Sequence, residues 1–212
     1  MASPAQAQAQ RNAGTGGEGD VPFPHVIIAH HIILTGYGHW LPNDPRGSMS
    51  QMMRQPLLGP LGDIHYGRKG VQPSREELKA FHHAARPLLT HPVLWFEQPH
   101  RRALIDAIRQ RIRSETLTCY ACAVLSNHIH LLIRRHRLDG PKLNAMLKDS
   151  LAETLHEEKL VPPEHPVFSA DSCHFYKSDK QAVRNCIGYI NENFAKHHLP
   201  LAVYDFVTPY DG

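Results

Sequence analysis

Ser126-Asn127-His128-Ile129-His130-Leu131-Leu132-Ile133 is an apolar stretch with a period of two, the mark of a β-strand. Alternate side chains of a strand leave the same face. His128 and His130 therefore stand side by side, about 6–7 Å apart at the backbone. Ile129, Leu131 and Ile133 point the other way, into a core. Two neutral imidazoles held in this way can share one divalent cation and leave coordination positions open. A purely structural metal is usually enclosed by more protein ligands, so this arrangement suits chemistry.

The neighbouring sequence sets this strand in an α+β domain. His25 to Thr35, with Val26, Ile27, Ile28, Ile32, Ile33 and Leu34, reads as a first strand that Gly36 ends. Gly, Pro and Asn-Asp then mark a loop that continues to about Pro73. Nearly forty residues without periodicity make an insertion that is either functional or mobile. Ser74-Arg75-Glu76-Glu77 fits a capping box and opens a helix to about Leu89. Pro99 to Ser114 is a basic helix with Leu104, Ile105, Ile108 and Ile112 on its apolar stripe. Leu117–Leu125 and Asn127–Arg134 are two strands joined by a very tight connection. Pro141 to about Lys159 is a helix that buries Leu143, Met146, Leu147, Leu151 and Leu155. A short extended stretch at His174–Lys177 precedes a last helix, capped by Ser178 or Asp179 and reaching about His197. On it Ala182, Cys186, Tyr189 and Asn193 share one face, beside the stripe of Val183, Ile187, Ile190 and Phe194. The tail holds at most one short strand. Strands interleaved with helices point to a small antiparallel sheet carrying helices. Residues 1–20 read as a disordered lead-in and residues 21–212 as one domain with the insertion at about 36–73.

Composition sets bounds without naming a partner. The chain has 212 residues, 42% of them apolar, enough for a real core, and a net charge of +3 permits a polyanion without demanding one. Its 17 histidines would add positive charge as pH falls toward 6. No run of about 20 apolar residues occurs and no secretory signal is visible, so a cytoplasmic protein is expected, with no membrane partner. Cys119 and Cys122 form a C-x-x-C, but residues three apart in a strand face opposite sides, so buried thiols are expected there and not a metal. His30-His31 are adjacent and face opposite ways, as structural or DNA-facing residues. His82-His83 and His197-His198 read as solvated helix residues. Trp40 can stack on an unpaired base or pin its loop.

Taken with Ile187-Gly188-Tyr189-Ile190-Asn191-Glu192-Asn193, the His128 strand resembles a known family. The strand is similar to the "HUH" strand (His, hydrophobic, His) of single-tyrosine transposases. The later segment resembles the nucleophile helix of the REP-associated tyrosine transposases, whose pattern is Tyr-Ile-x-x-Asn-Pro. Phe194 stands where that pattern has Pro. The resemblance spans roughly residues 25–200 and implies a ferredoxin-like or RRM-like antiparallel sheet with helices on it, the HUH endonuclease fold.

It implies an enzyme, a transposase acting as a single-stranded DNA endonuclease and strand transferase. Tyr189 would be the nucleophile, forming a 5′-phosphotyrosine link. His128, His130 and Asn193 would hold a divalent metal, Mg or Mn. Arg134, Arg135 and Lys196 would contact DNA, with the run after the strand expected to lie beside the metal. The partner implied is single-stranded or hairpin DNA. A homodimer is open, because related enzymes include dimers in which one subunit's helix serves the other. Two alternatives stand: a metal-dependent phosphodiesterase using water, and an inactive, domesticated hairpin-DNA-binding protein. Tyr176 and Tyr37 are the next candidate nucleophiles.

Overall fold

The computed structural model describes residues 26–170 and 173–212. The expected lead-in at 1–20 lies outside the described residues. Four strands, β1 (Ala29–Thr35), β2 (Cys119–Val124), β3 (His128–Arg134) and β4 (Cys173–Lys177), form one sheet in the order β2-β3-β1-β4. Every pairing is antiparallel. Helices α1 (Arg75–Ala85), α2 (Gln98–Ser114), α3 (Gly140–Glu157) and α4 (Lys180–Lys196) complete the domain. The order β1-α2-β2-β3-α3-β4 with this sheet arrangement is the ferredoxin-like α+β topology that the family resemblance implies. No helix among the described residues is long and apolar enough to cross a membrane.

The alternation in β3 decides which helix covers which face. Ile129, Leu131 and Ile133 join Ile32 and Leu34 of β1 in the main core. There they meet Leu104, Ile108 and Ile112 of α2 and Leu143, Leu147, Leu151 and Leu155 of α3. The opposite face, with Leu132, Ala121 and Ala123, packs against Val183, Cys186, Ile190 and Phe194 of α4. The histidine pair of β3 belongs to this second face. Local chemistry sets the helix ends. Ser74 and Glu77 form the reciprocal capping box on α1, and Asp139 and Asp179 cap α3 and α4. α1 stops at Ala85, short of the expected Leu89, because Arg86-Pro87-Leu88 tighten into a 3-10 turn. β1 likewise begins later than the sequence pattern suggested, at Ala29. The tail forms a single bridge, Val207 to Cys119, and no strand.

One expectation about β2 is corrected. Cys119 and Cys122 point into the same core, not to opposite sides. A β-bulge between Cys119 and Ala121 inserts an extra residue, so Cys119 pairs with Ile133, Ala121 with Leu132 and Cys122 with Leu131. The extra residue resets the alternation. Neither thiol is activated: burial pushes Cys119 up to about 12 and Cys122 well above its usual value. Cys173 and Cys186 are raised to about 12 and about 11 by the same cause. These thiols hold their protons more tightly folded than unfolded. Their stabilising contribution is complete below the ordinary thiol value of 9.0 and is lost as pH rises from there toward 11–12. A disulfide-exchange reagent at pH 8 is expected to leave Cys119 and Cys122 untouched in the native protein and to titrate both in guanidinium. Rapid labelling of either thiol in the native state would contradict this packing.

The insertion at 36–73 is ordered. Leu41 and Leu58 meet Phe81 and Ala85 of α1 in a small core of their own. Asn43 donates from Nδ2 to the Leu58 and Gly62 carbonyls, and Ser48 bridges to Tyr66. Gly47 is needed at this crossing. Its φ is +88°, and a Cβ there would lie 2.0 Å from the Gly67 carbonyl oxygen. Trp40 donates its indole N–H to the Gly47 carbonyl, so of its two readings the pinning of the loop is the contact present.

Candidate active site

β3 presents His128 and His130 to the α4 face, and the register adds a third imidazole. His130 pairs with Ile33 of β1 and Leu132 with His31, so His31 sits on the diagonal from His130, within reach of a ring. His31 Nε2 lies 3.0 Å from His130 Nδ1. His128 Nε2 lies 2.9 Å from His130 Nε2, and His128 Nδ1 lies 2.7 Å from Asn127 Oδ1. At the turn, Leu125 donates its N–H to the His128 carbonyl. The end of α4 adds His197, whose ring packs edge-on against His128 at 5.0 Å between centroids. Ser126 Oγ and His197 Nδ1 are 2.9 Å apart.

Protons can be placed along this chain. The Asn127 carbonyl oxygen only accepts, so His128 carries its proton on Nδ1 and offers a lone pair at Nε2. His130 Nε2–H then donates to His128, and His31 Nε2–H donates to His130 Nδ1. All three rings are neutral in this arrangement. Burial is the largest cause holding His128 and His130 well below the ordinary histidine range and His31 at about 3.

The residues fit a divalent cation in one respect. If His130 and His31 each move their proton to the other ring nitrogen, His130 Nε2 also becomes a lone pair, with no net change in charge. Two ring nitrogens with free lone pairs then lie 2.9 Å apart. Two adjacent ligands of an octahedral ion at about 2.1 Å are separated by about 3.0 Å. A tetrahedral ion at about 2.0 Å would want about 3.3 Å. Among the described residues, no group of three or more His, Cys, Asp or Glu side chains is arranged to hold a metal ion. Further ligands would therefore come from an amide, water or substrate oxygen.

Tyr189 of α4 packs edge-on against His130, with ring centroids 5.5 Å apart, and against His31 at 6.2 Å. These are histidines of its own chain. Burial raises its phenol above the usual value, while the Asn193 side chain and Arg68 of the insertion pull the other way. Asn193 is buried one turn on, and its Nδ2 donates to the Tyr189 carbonyl at 2.6 Å. Its amide nitrogen is thus occupied, and its oxygen is the atom left to act as a ligand. Lys196 Nζ stands 5.0 Å from the Tyr189 ring centroid, paired loosely with Glu192 at 3.7 Å.

Arg134 and Arg135 are placed elsewhere. Arg134 pairs with Ala29 at the opposite end of β3 from His128, which pairs with Thr35. Six residues of strand, about 20 Å, separate Arg134 from His128, so the run is not beside the imidazoles as expected. The cations that act on the imidazoles are Lys196, Lys177 and the Asp44-paired Arg46 of the insertion, and Arg68 of the insertion acts on Tyr189. Tyr176 faces His30 on the other side of the sheet. The Tyr37 hydroxyl is occupied by Gln55 Nε2 and the His91 N–H. Neither fallback tyrosine meets the histidine pair.

Sequence reasoning missed His31 and His197. Adjacent or terminal histidines carry no periodic signal of their own. The available hint for His31 was its parity within β1, which is useful only once the pairing partner is known.

No protein-family model and no curated protein matches the chain. Solved structures resemble it, among them the following two. One is a REP-associated tyrosine transposase bound to a REP hairpin, 11% identical, with 84% of this chain and 74% of that one covered at a TM-score of 0.40. The other is a candidate transposase from Deinococcus radiodurans, 15% identical, with 88% of this chain and 100% of that one covered at a TM-score of 0.37.

Proposed function

We propose that this protein is a single-stranded DNA endonuclease and strand transferase of the HUH transposase kind, with Tyr189 as its nucleophile. The observation that carries this reading is the packing of Tyr189 against His130 and His31, in a chain where the Nε2 atoms of His128 and His130 lie 2.9 Å apart. A phenol at that position can reach a phosphate seated on the pair. Its oxygen attacks phosphorus, and the bond from phosphorus to the 3′-oxygen breaks. The phenolic proton leaves to solvent or a nearby base, and the departing 3′-oxygen gains one. The products are a 5′-phosphotyrosine link and a free 3′-hydroxyl. Because the phosphodiester energy is conserved, a second 3′-hydroxyl can reverse the step on another strand without ATP.

His128 and His130 would hold Mg²⁺ or Mn²⁺, with the Asn193 carbonyl oxygen as the nearest amide candidate. When bound, the ion supplies positive charge to the non-bridging oxygens. Asn127 keeps the His128 proton on Nδ1 and its Nε2 free, and His31 Nε2 would accept the His130 Nδ1–H once the protons of both rings have moved, as outer partners of metal-ligating histidines do. Lys196 lies where it can approach the phosphate that Tyr189 attacks. α4 brings Tyr189 to its own chain's sheet, so one protomer holds every group named here.

The test is direct. Incubated with single-stranded hairpin DNA and Mn²⁺, the protein is expected to yield a species of higher mass that survives denaturing electrophoresis and disappears on protease treatment. Cleaved DNA with free ends and no attached protein would point to activated water. Binding without cleavage under every divalent ion would point to an inactive hairpin binder.

A further inference from the structure

A cleft of about 230 Å³ opens beside the histidine pair, between the insertion, the end of α1 and the segment before α2. Its lining includes His39, Arg46, His82, Arg86, Trp95 and Asn127. The site described above uses one of these, Asn127, whose Oδ1 faces His128 Nδ1. Asn127 thus borders both the cleft and the Nδ1 side of the His128 ring, which places the cleft one residue from the histidine pair.

Its walls combine a presented aromatic face with unspent positive charge. Trp95 is 47% exposed, yet its backbone is held on both sides. The Leu94 N–H donates to the Tyr37 carbonyl, the Phe96 N–H donates to the Ser126 carbonyl, and Phe96 itself is fully buried. His39 packs edge-on against the indole at 4.3 Å and is anchored by its own Nε2 on the Leu94 carbonyl at 2.8 Å. An exposed indole on a fixed backbone loses little freedom when a flat partner stacks on it. The chain's other tryptophan, Trp40, is 43% exposed and carries Arg46 over its ring at 3.9 Å. Trp95 lines the cleft directly, whereas Trp40 is linked to it only through Arg46.

The charges differ in kind. Arg46 is held by the buried Asp44 through two bonds of 2.8 and 2.7 Å, so it is positioned and largely neutralised. His82 lies 3.7 Å from the same carboxylate. Arg86 is exposed and has no carboxylate in ion-pairing range among the described residues.

We propose that this cleft binds one unpaired nucleotide of the DNA strand next to the attacked phosphodiester, with its base stacked on Trp95 and its phosphate met by Arg86. The proposal rests on the strand-transferase reading above and adds the substrate's flanking position to it. The volume is below the ~300–1,000 Å³ of sites for drug-sized ligands, which suits one base and not two. An aromatic platform beside a free guanidinium is the usual equipment for holding a single-stranded base without pairing it. Through this cleft the insertion at 36–73 gains a purpose: it builds one wall of a nucleotide seat against the end of β3.

The experiment uses the full chain carrying Tyr189→Phe, so that cleavage does not intrude. Affinities are measured by anisotropy for labelled hairpins with a single-stranded flank. Each flank position in turn is replaced by an abasic residue, and the free mononucleotide is the control for a site that binds small ligands only. One abasic position is expected to weaken binding by about 5–150-fold, the loss of one base–aromatic stack. Trp95→Ala is expected to weaken the intact hairpin by a similar factor and to become indifferent to that abasic position. Trp95→Phe should restore most of the affinity and the sensitivity. Arg86→Ala should lower the salt dependence by about one phosphate contact.

Losses from the abasic residue and Trp95→Ala that simply multiply would overturn the proposal, as would a flank whose bases make no difference. A mononucleotide that binds as tightly as the flanked hairpin would also overturn it. If hairpins bind and the unmodified protein forms its adduct while Trp95 has no effect, this inference alone fails. If the unmodified protein neither binds hairpins nor forms an adduct, both readings fail.

Discussion

Tyr189→Phe is expected to remove the covalent protein–DNA species while leaving hairpin binding nearly intact. The substitution deletes one oxygen and keeps the ring that packs on His130 and His31, so the sheet face and α4 keep their contacts. Thermal melting should shift little, since the phenol's side-chain hydrogen-bond partner is Asn193, whose Nδ2 keeps its bond to the Tyr189 carbonyl. Chemistry should fall by at least about 10³-fold, the scale on which losing a covalent nucleophile acts. An adduct undiminished in this variant would exclude Tyr189. The structure offers no ready substitute, because Tyr176 lies on the far face of the sheet with its hydroxyl 3.2 Å from His174 Nε2. If free-ended cleavage products persist in the variant, water is the nucleophile and Tyr189 is a packing residue.

His128→Ala should abolish metal-dependent cleavage, by about 10²-fold or more, because half of the facing Nε2 pair is deleted. His128 is half-buried at the strand end, so the fold should survive, and circular dichroism with a melting curve checks that. A graded companion separates ligation from general damage. Asn127→Ala leaves both imidazoles in place but removes the oxygen that sets the His128 tautomer. It is expected to raise the Mn²⁺ concentration needed for half-maximal cleavage by about 10–100-fold, with the rate at saturating ion largely recovered. Cleavage that continues unchanged in excess chelator would remove the metal from the reading altogether. The His31 contact predicts the same kind of shift for His31→Ala, reached from the other side of His130.

The two substitutions probe different elements, and the amino-acid order revealed those elements unequally. The period of two in β3, the capping box at Ser74 and the apolar stripes of α2, α3 and α4 are local patterns. Each was readable because a strand or helix imposes its own spacing on the residues that must be buried. Placing Tyr189 and Asn193 on one helix, and His128 and His130 on one strand face, follows from the same spacing. The bulge after Cys119 is different in kind: one extra residue inverts every later facing in the strand, and no residue type announces it.

By itself, then, the order of residues determined the elements, their sequence along the chain and the facing of the His128–His130 pair. Only the tertiary structure decided that His31, ninety-nine residues before His130, would complete a hydrogen-bonded line of imidazoles. It also decided that α4 would cover that same face, that Arg134 would end far from it, and that the insertion would bring Arg46 and Arg68 toward it. The physical reason is that side-chain direction within an element is set by local backbone geometry. Which elements meet, and in which register, is set by the burial of both sheet faces at once, a property of the whole chain that no single window contains.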